Sequence, residues 1–396
     1  MKQLGHNKHN LSLEILKPSL VLEQVLNSIL SFMMIREIIS ISSLKFMSNF
    51  NTLVVISYAV ITISRLFLQN SISKGILNSK TALRTISQSN LLRIIFGFAI
   101  LFFLVNLNDI SHLSAVLLLI SIAAMDFIRY FYLFTGRIIP SLAGNAVSVF
   151  LGLNWLIWFS DPHLQPEKVV LIWVSLNWIY VASTVLFGLT PNHRIPSNLF
   201  IDKTFTSNFR LILLDSATIQ LFQTLCSVGL LYFVPEANAA ARIGSQVFLS
   251  IPNLLIASTA PFVALYVAKG LISYNSRFNL MLIQLFFFII PITLIFLPPF
   301  ALDTISGSSD RYYLVYQIGF IANGMSIFVI SSFSYGYIQL VGTRRFLTYK
   351  LSLLTCALLF PLVALVFFGV IVFNTLAILT LCVAIVVSRK YISAKI

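Results

Sequence analysis

The sequence is poor in charge. Lys, Arg, Asp and Glu make up 10% of its 396 residues, against about 25% in soluble domains. With 58% hydrophobic residues and a mean hydropathy of +0.93, it carries more apolar surface than a soluble fold can hide. Cysteine is scarce as well. Cys226, Cys356 and Cys382 lie inside apolar runs without a pairing motif, so they read as packing residues. The five histidines fall in or beside loops, and no His/Cys/Asp group has metal-ligand spacing. There is no glycine-rich phosphate loop and no Ser or Cys nucleophile beside a base. ATP hydrolysis is therefore not indicated, no metal or other cofactor is called for, and the chain does not read as an enzyme. The start, MKQLGHNKHNLSLEILK, is polar for too long to be a secretory signal. No loop exceeds about 25 residues, which leaves no room for a soluble catalytic domain.

What fills the chain instead is a series of long apolar runs, each able to cross a hydrocarbon core of about 30 Å as a helix. The alternation over about 10 residues that marks a membrane barrel is missing. The expected fold is an all-α integral membrane protein of about twelve transmembrane helices. The spans fall near 18–38, 47–68, 91–107, 112–134, 139–159, 169–189, 206–233, 239–268, 279–301, 312–340, 347–367 and 370–388. The polar segment PNHRIPSNLFIDK (191–203) divides them into two six-helix halves, 1–195 and 196–396.

The net charge of +14 fits topology better than nucleic acid, because cytoplasmic loops collect Lys and Arg. With both termini in the cytoplasm, 19 of the 26 basic residues fall on the inner side. The outer loops then hold Lys45, Lys168 and Arg311 against Asp109, Asp161, Glu167, Glu236, Asp303 and Asp310. Trp155, Trp158, Trp173 and Trp178 sit in the outer parts of spans five and six, where an interfacial belt places aromatics. The halves also resemble each other. LVLEQVLNSILSF in span one faces LILLDSATIQLFQ in span seven, and YFYLFTGR closing span four resembles YGYIQLVGTR closing span ten. Parallel repeats of this kind frame a central site in transporters.

Charges inside the spans are the functional signal. Glu23, Arg36, Arg65, Asp126, Arg129, Asp215 and Arg242 fall there, each costing about 2.5–3.5 kcal/mol at the bilayer centre and so facing a partner or a cavity. Arg36 and Arg242, near outer ends, and Arg65, near an inner end, can snorkel to headgroups. Asp126, Arg129, Tyr130 and Arg137 share one face of span four, given about 100° per residue. Span one sets Glu23 and Asn27 one turn apart, and span seven carries Asp215, Gln220 and Gln223 on its inner half. Three helices thus aim polar groups at one wet chamber open to the cytoplasm. Asp126 and Arg129 could also neutralise each other and tie span four to a neighbour. Pro252 and Pro261 in span eight, Pro291 in span nine and Pro361 in span eleven allow bends.

Three stretches resemble the multidrug/oligosaccharidyl-lipid/polysaccharide exporter superfamily, in its O-antigen and polysaccharide flippase branch. They are LEQVLNSILSFMMIREI (22–38), AAMDFIRYFYLFTGR (123–137) and NAAARIGSQVFLSIPNLLIASTAPFVALYVAKG (238–270). The resemblance implies a V-shaped bundle with a central cleft in the cytoplasmic membrane. Its cargo would be polyprenyl-diphosphate-linked oligosaccharide, moved from the inner to the outer leaflet by a monomer working among membrane lipids and alongside a polysaccharide polymerase and other assembly proteins. In that frame Arg129 and Arg137, with Arg65, hold the diphosphate, because guanidinium binds phosphate bidentately. Tyr130 and Tyr132 stack on sugar and Asn27 lines the cavity. Glu23, Asp126 and Asp215 couple to H+ or Na+. Two rivals stand beside this reading: a multidrug exporter, which should show acids without matching cavity arginines, and a membrane glycosyltransferase or polymerase. The short outer loops DPHLQPEK and LDTISGSSDR, without clustered acids, weigh against the second.

Overall fold

A computed structural model of the chain describes residues 18–73, 109–134, 138–159, 164–188, 209–248, 312–341 and 344–393. Ten helices account for nearly all of them: α1 (Pro18–Ile41), α2 (Leu44–Ser73), α3 (His112–Phe134), α4 (Ile138–Phe159), α5 (Pro166–Gly188), α6 (Phe209–Phe233), α7 (Pro235–Phe248), α8 (Tyr312–Val341), α9 (Arg344–Phe368) and α10 (Val370–Ser393). No strand occurs among the described residues. In lipid every backbone N–H and C=O must be satisfied within the segment, which a helix does alone. Seven of the helices are long and apolar enough to cross a membrane. The protein is an all-α membrane protein. The expected spans 91–107 and 279–301 lie outside the described residues, as does span eight beyond Phe248.

The helix boundaries have local causes. Pro18, Pro166 and Pro235 open α1, α5 and α7, at the position where a missing N–H costs nothing. The Ser43 hydroxyl accepts the Phe46 N–H (3.2 Å) and the Ser111 hydroxyl accepts the Ser114 N–H (3.2 Å), capping α2 and α3. Gly369, at φ +85°, stops α9 in the left-handed region that glycine enters freely. Pro361 lies inside α9 without ending it, whereas Pro252, Pro261 and Pro291 lie outside the described residues.

Helices α1 to α5 share one core. Phe50 stacks on Phe46 (centroids 6.4 Å) and meets Trp173 (6.1 Å), with Leu30, Met34, Leu118 and Val169 around them. A second core joins α6, α8, α9 and α10 through Ile219, Val329, Leu354, Ala357 and Ala384. Helix α2 connects the two sets: it packs on α3, on α6 and on α7. Ala239, Ala240 and Ile243 of α7 accordingly belong to the first core.

Small residues bring helices close, as expected where lipid supplies no hydrophobic drive between them. Gly144 of α4 lies against Thr184, with the Tyr180 carbonyl of α5 3.1 Å from where a Cβ would stand. The backbone on the other side cannot yield. Gly144→Ala is therefore expected to lower stability by about 1–3 kcal/mol through overpacking, read as a drop in the melting temperature of purified protein. Away from these contacts the surface is apolar. Phe360, Phe367, Phe368 and Ile371 of the last two helices are each at least 60% exposed, as suits side chains facing lipid tails.

Candidate functional site: a buried ion pair and an open guanidinium

Among the described residues, two polar assemblies join several helices. The first lies within α1, α3, α4 and α5. Arg129 reaches across to α1 and grips the Glu23 carboxylate side-on, Nε to Oε1 at 2.7 Å and Nη2 to Oε2 at 2.9 Å. The same Nη2 also donates to the Gln24 side-chain oxygen. From α4, the Ser141 hydroxyl (2.7 Å) and the Asn145 amide (2.9 Å) both donate to Glu23 Oε1. Asn145 reaches the Glu23 backbone carbonyl as well (3.3 Å). The Tyr180 hydroxyl of α5 completes the shell, 2.8 Å from Ser141 Oγ. Glu23 is 0% and Arg129 3% exposed. A bidentate pair with additional donors is the geometry in which buried attraction can offset desolvation.

This arrangement changes the expected roles. Arg129 was expected to offer its fork to a diphosphate, and in this conformation Glu23 occupies that fork. The side-on partner of Arg129 is on α1; Asp126, one turn back on its own helix, is buried at 3% exposure and also acts electrostatically on the guanidinium. Tyr130 and Tyr132 are buried too, so neither presents a face for a sugar. The Arg129 guanidinium lies 5.3 Å from the Tyr130 ring centre, and the Tyr132 ring tip abuts Gly188. Asn27 is half-buried, and its Oδ1 has no partner among the described residues. Arg137 lies outside the described residues, as do the side chains of Arg65 and Asp215.

The second assembly lies where α2 meets α6 and α7. Asn238 of α7 is its hub. Its Oδ1 accepts from Asn51 Nδ2 (2.6 Å) and from the Ser227 hydroxyl (3.0 Å). Its Nδ2 donates to the Ser48 carbonyl (2.8 Å), the Ser48 hydroxyl (3.1 Å) and Thr52 Oγ1 (2.9 Å). Thr52 and Ser227 also meet directly (3.2 Å). One turn further along α7 is Arg242. Near an outer end, it was expected to snorkel to headgroups; instead it is 5% exposed, held inside the protein. Tyr58 of α2 hydrogen-bonds it, yet its Nε and Nη2 have no partner among the described residues. These two atoms form the same edge that in Arg129 holds Glu23. Tyr58 is 46% exposed, so the seam between α2 and α7 loosens at this level.

Other buried polar atoms without partners among the described residues lie on α6 and on α8: Gln220 Oε1 and Thr224 Oγ1 on the first, Gln317 Oε1 and Asn323 Oδ1 on the second. Gln220, Thr224 and Ser227 form one stripe at i, i+4 and i+7. Buried polar groups that lack protein partners are served by water or ligand.

Sequence reasoning passed over several of these residues. Ser141, Asn145 and Ser148 form a polar stripe in an apolar span, a signal as legible as the charges. Glu37, beside the exposed Arg36, is buried at 8%. Lys350, one of the 19 basic residues expected on the inner side, lies inside α9 and is 2% exposed. No family model, curated protein or solved structure matches the chain.

Proposed function

We propose that this protein is a membrane transporter that moves a polyprenyl-diphosphate-linked oligosaccharide from the inner to the outer leaflet by alternating access, driven by H+ or Na+. The observation that carries the reading is Arg242, a buried guanidinium whose side-on edge has no partner among the described residues, on a helix that packs against both α2 and α8. Two parallel N–H donors match two oxygens of a phosphate. The unpartnered polar atoms of α6 and α8 suit a hydrated sugar passing the same way. The lipid-linked cargo and the cytoplasmic membrane rest on the sequence resemblance.

Coupling falls to Glu23. While ionised it keeps Arg129 closed. A proton on the carboxylate removes the attraction and frees the Arg129 fork for the diphosphate. Na+ can act equally, because Glu23, Ser141 and Tyr180 supply oxygens and Asn145 Oδ1 is an acceptor without a partner among the described residues. Arg137, Arg65, Asp126 and Asp215 remain proposed members of the path. A cation-exporting drug pump would want acids without a guanidinium partner, whereas here Glu23 is held by Arg129 and the buried edge without a partner among the described residues belongs to an arginine.

The test is flux in proteoliposomes carrying a lipid-linked oligosaccharide, with an imposed proton or sodium gradient. Flux is expected to follow one gradient in the native protein. Glu23→Gln is expected to leave a slow downhill flux indifferent to either gradient. Gradient-driven flux in the variant would sink the coupling role. Absence of flux in the native protein would sink the transporter.

A further inference from the structure

We infer that the Asn238 network is a reversible seal between α2 and the α6–α7 pair, parting and re-forming as the transporter turns over; this rests on the transport reading above. Ser48, Asn51 and Thr52 stand on α2, Ser227 on α6 and Asn238 on α7. By contrast, the Glu23–Arg129 pair stays wholly within α1 to α5, so a movement of α6 and α7 away from α2 leaves it whole and must break the contacts of Asn238 with Ser48, Asn51 and Thr52.

The chemistry of the network suits repeated breaking. Every member is neutral, so rupture strands no charge. Thr52 Oγ1 already lies 3.2 Å from the Ser48 carbonyl of its own helix, and serine hydroxyls have the same fallback. The amides can turn to water. Hydrogen bonds between membrane helices are individually weak, so together they can hold a seam shut and still release it. The residues flanking Asn238 are Ala237, Ala239 and Ala240, all 0% exposed. Separation of α7 from α2 thus withdraws small side chains there. The position is also right: one turn beyond Asn238 lie Arg242 and the half-exposed Tyr58. The network is the closed layer between the anion subsite and the end at which α2 and α7 begin, the outer end in the expected topology.

The experiment uses full-length protein with Cys226, Cys356 and Cys382 replaced by Ser. A pair of substitutions, Asn51→Cys and Asn238→Cys, is closed with a short thiol cross-linker that reductant can cleave. Closure is expected to cut oligosaccharide flux at least tenfold, with recovery on cleavage. Full flux through the cross-linked protein overturns the seal. In a second arm, Ser227→Cys is labelled with a membrane-impermeant maleimide. Substrate plus gradient is expected to speed labelling at least tenfold, and Asn238→Ala to do so without either. A native protein with no flux overturns the transport reading rather than the seal, and labelling unmoved by Asn238→Ala marks the network as a fixed core contact.

Discussion

Arg129→Ala is expected to lower the stability of the folded protein by about 3–5 kcal/mol, the loss typical when one partner of a buried ion pair is removed. The reason is positional. Glu23 receives four donated hydrogen bonds, two of them from Arg129, and without the guanidinium its carboxylate stays among helices at 0% exposure. Arg129→Lys is expected to fall between, because an ammonium cannot reproduce the two-pronged contact. The decisive measurement is the double variant Glu23→Gln with Arg129→Gln, which removes both charges and keeps polar partners for Ser141 and Asn145. It is expected to be more stable than either single variant, with a coupling well above the ~0.5 kcal/mol of independent sites. Melting or reversible unfolding of the four proteins in detergent gives the cycle. Additive losses would mean that the two side chains do not act as a pair.

Arg242→Met is expected to do the opposite to stability. The native side chain keeps two N–H donors buried without partners among the described residues, a desolvation cost of about 1–3 kcal/mol that an apolar chain of similar length does not bear. The variant should melt at the same temperature or higher. Its affinity for a diphosphate-linked oligosaccharide should fall by about 30-fold to more than 10³-fold, since truncating one partner of a buried charge pair costs about 2–5 kcal/mol. Tyr58 loses its partner but is half-exposed, so water replaces it. Isothermal titration and thermal melting on the same preparation separate the outcomes. A lower melting point with unchanged affinity would make Arg242 a structural residue.

The contrast between these arginines shows what the sequence could convey. Apolar run lengths placed helices at Pro18, His112, Pro166, Tyr312 and Val370 to within a few residues, because in lipid the length of a run largely decides the element. Charge within a run also marked Glu23, Asp126 and Arg129 as inward-facing, and all three are buried. Which partner each charge takes was not legible. The Asp126–Arg129 spacing of three suggested an interaction along one helix, and Asp126 does act on the guanidinium, but the side-on partner lies 106 positions away. Arg242 was misplaced for a related reason: nearness to a span's end says a side chain can reach the surface, and only packing of α2 against α7 decides whether it does. The neutral residues were missed because Ser, Thr and Asn carry little hydropathy penalty. Their spacing at 48, 51 and 52, and again at 141, 145 and 148, held the information that counting charges passed over.

Gly369 is the single residue between Phe368 and Val370, and its φ of +85° is strained for any residue with a β-carbon. A joint that short gives the two segments no slack. The pair is therefore expected to enter the bilayer as one helical hairpin. Once seated, the two helices pack against each other, so they are expected to move as one hairpin.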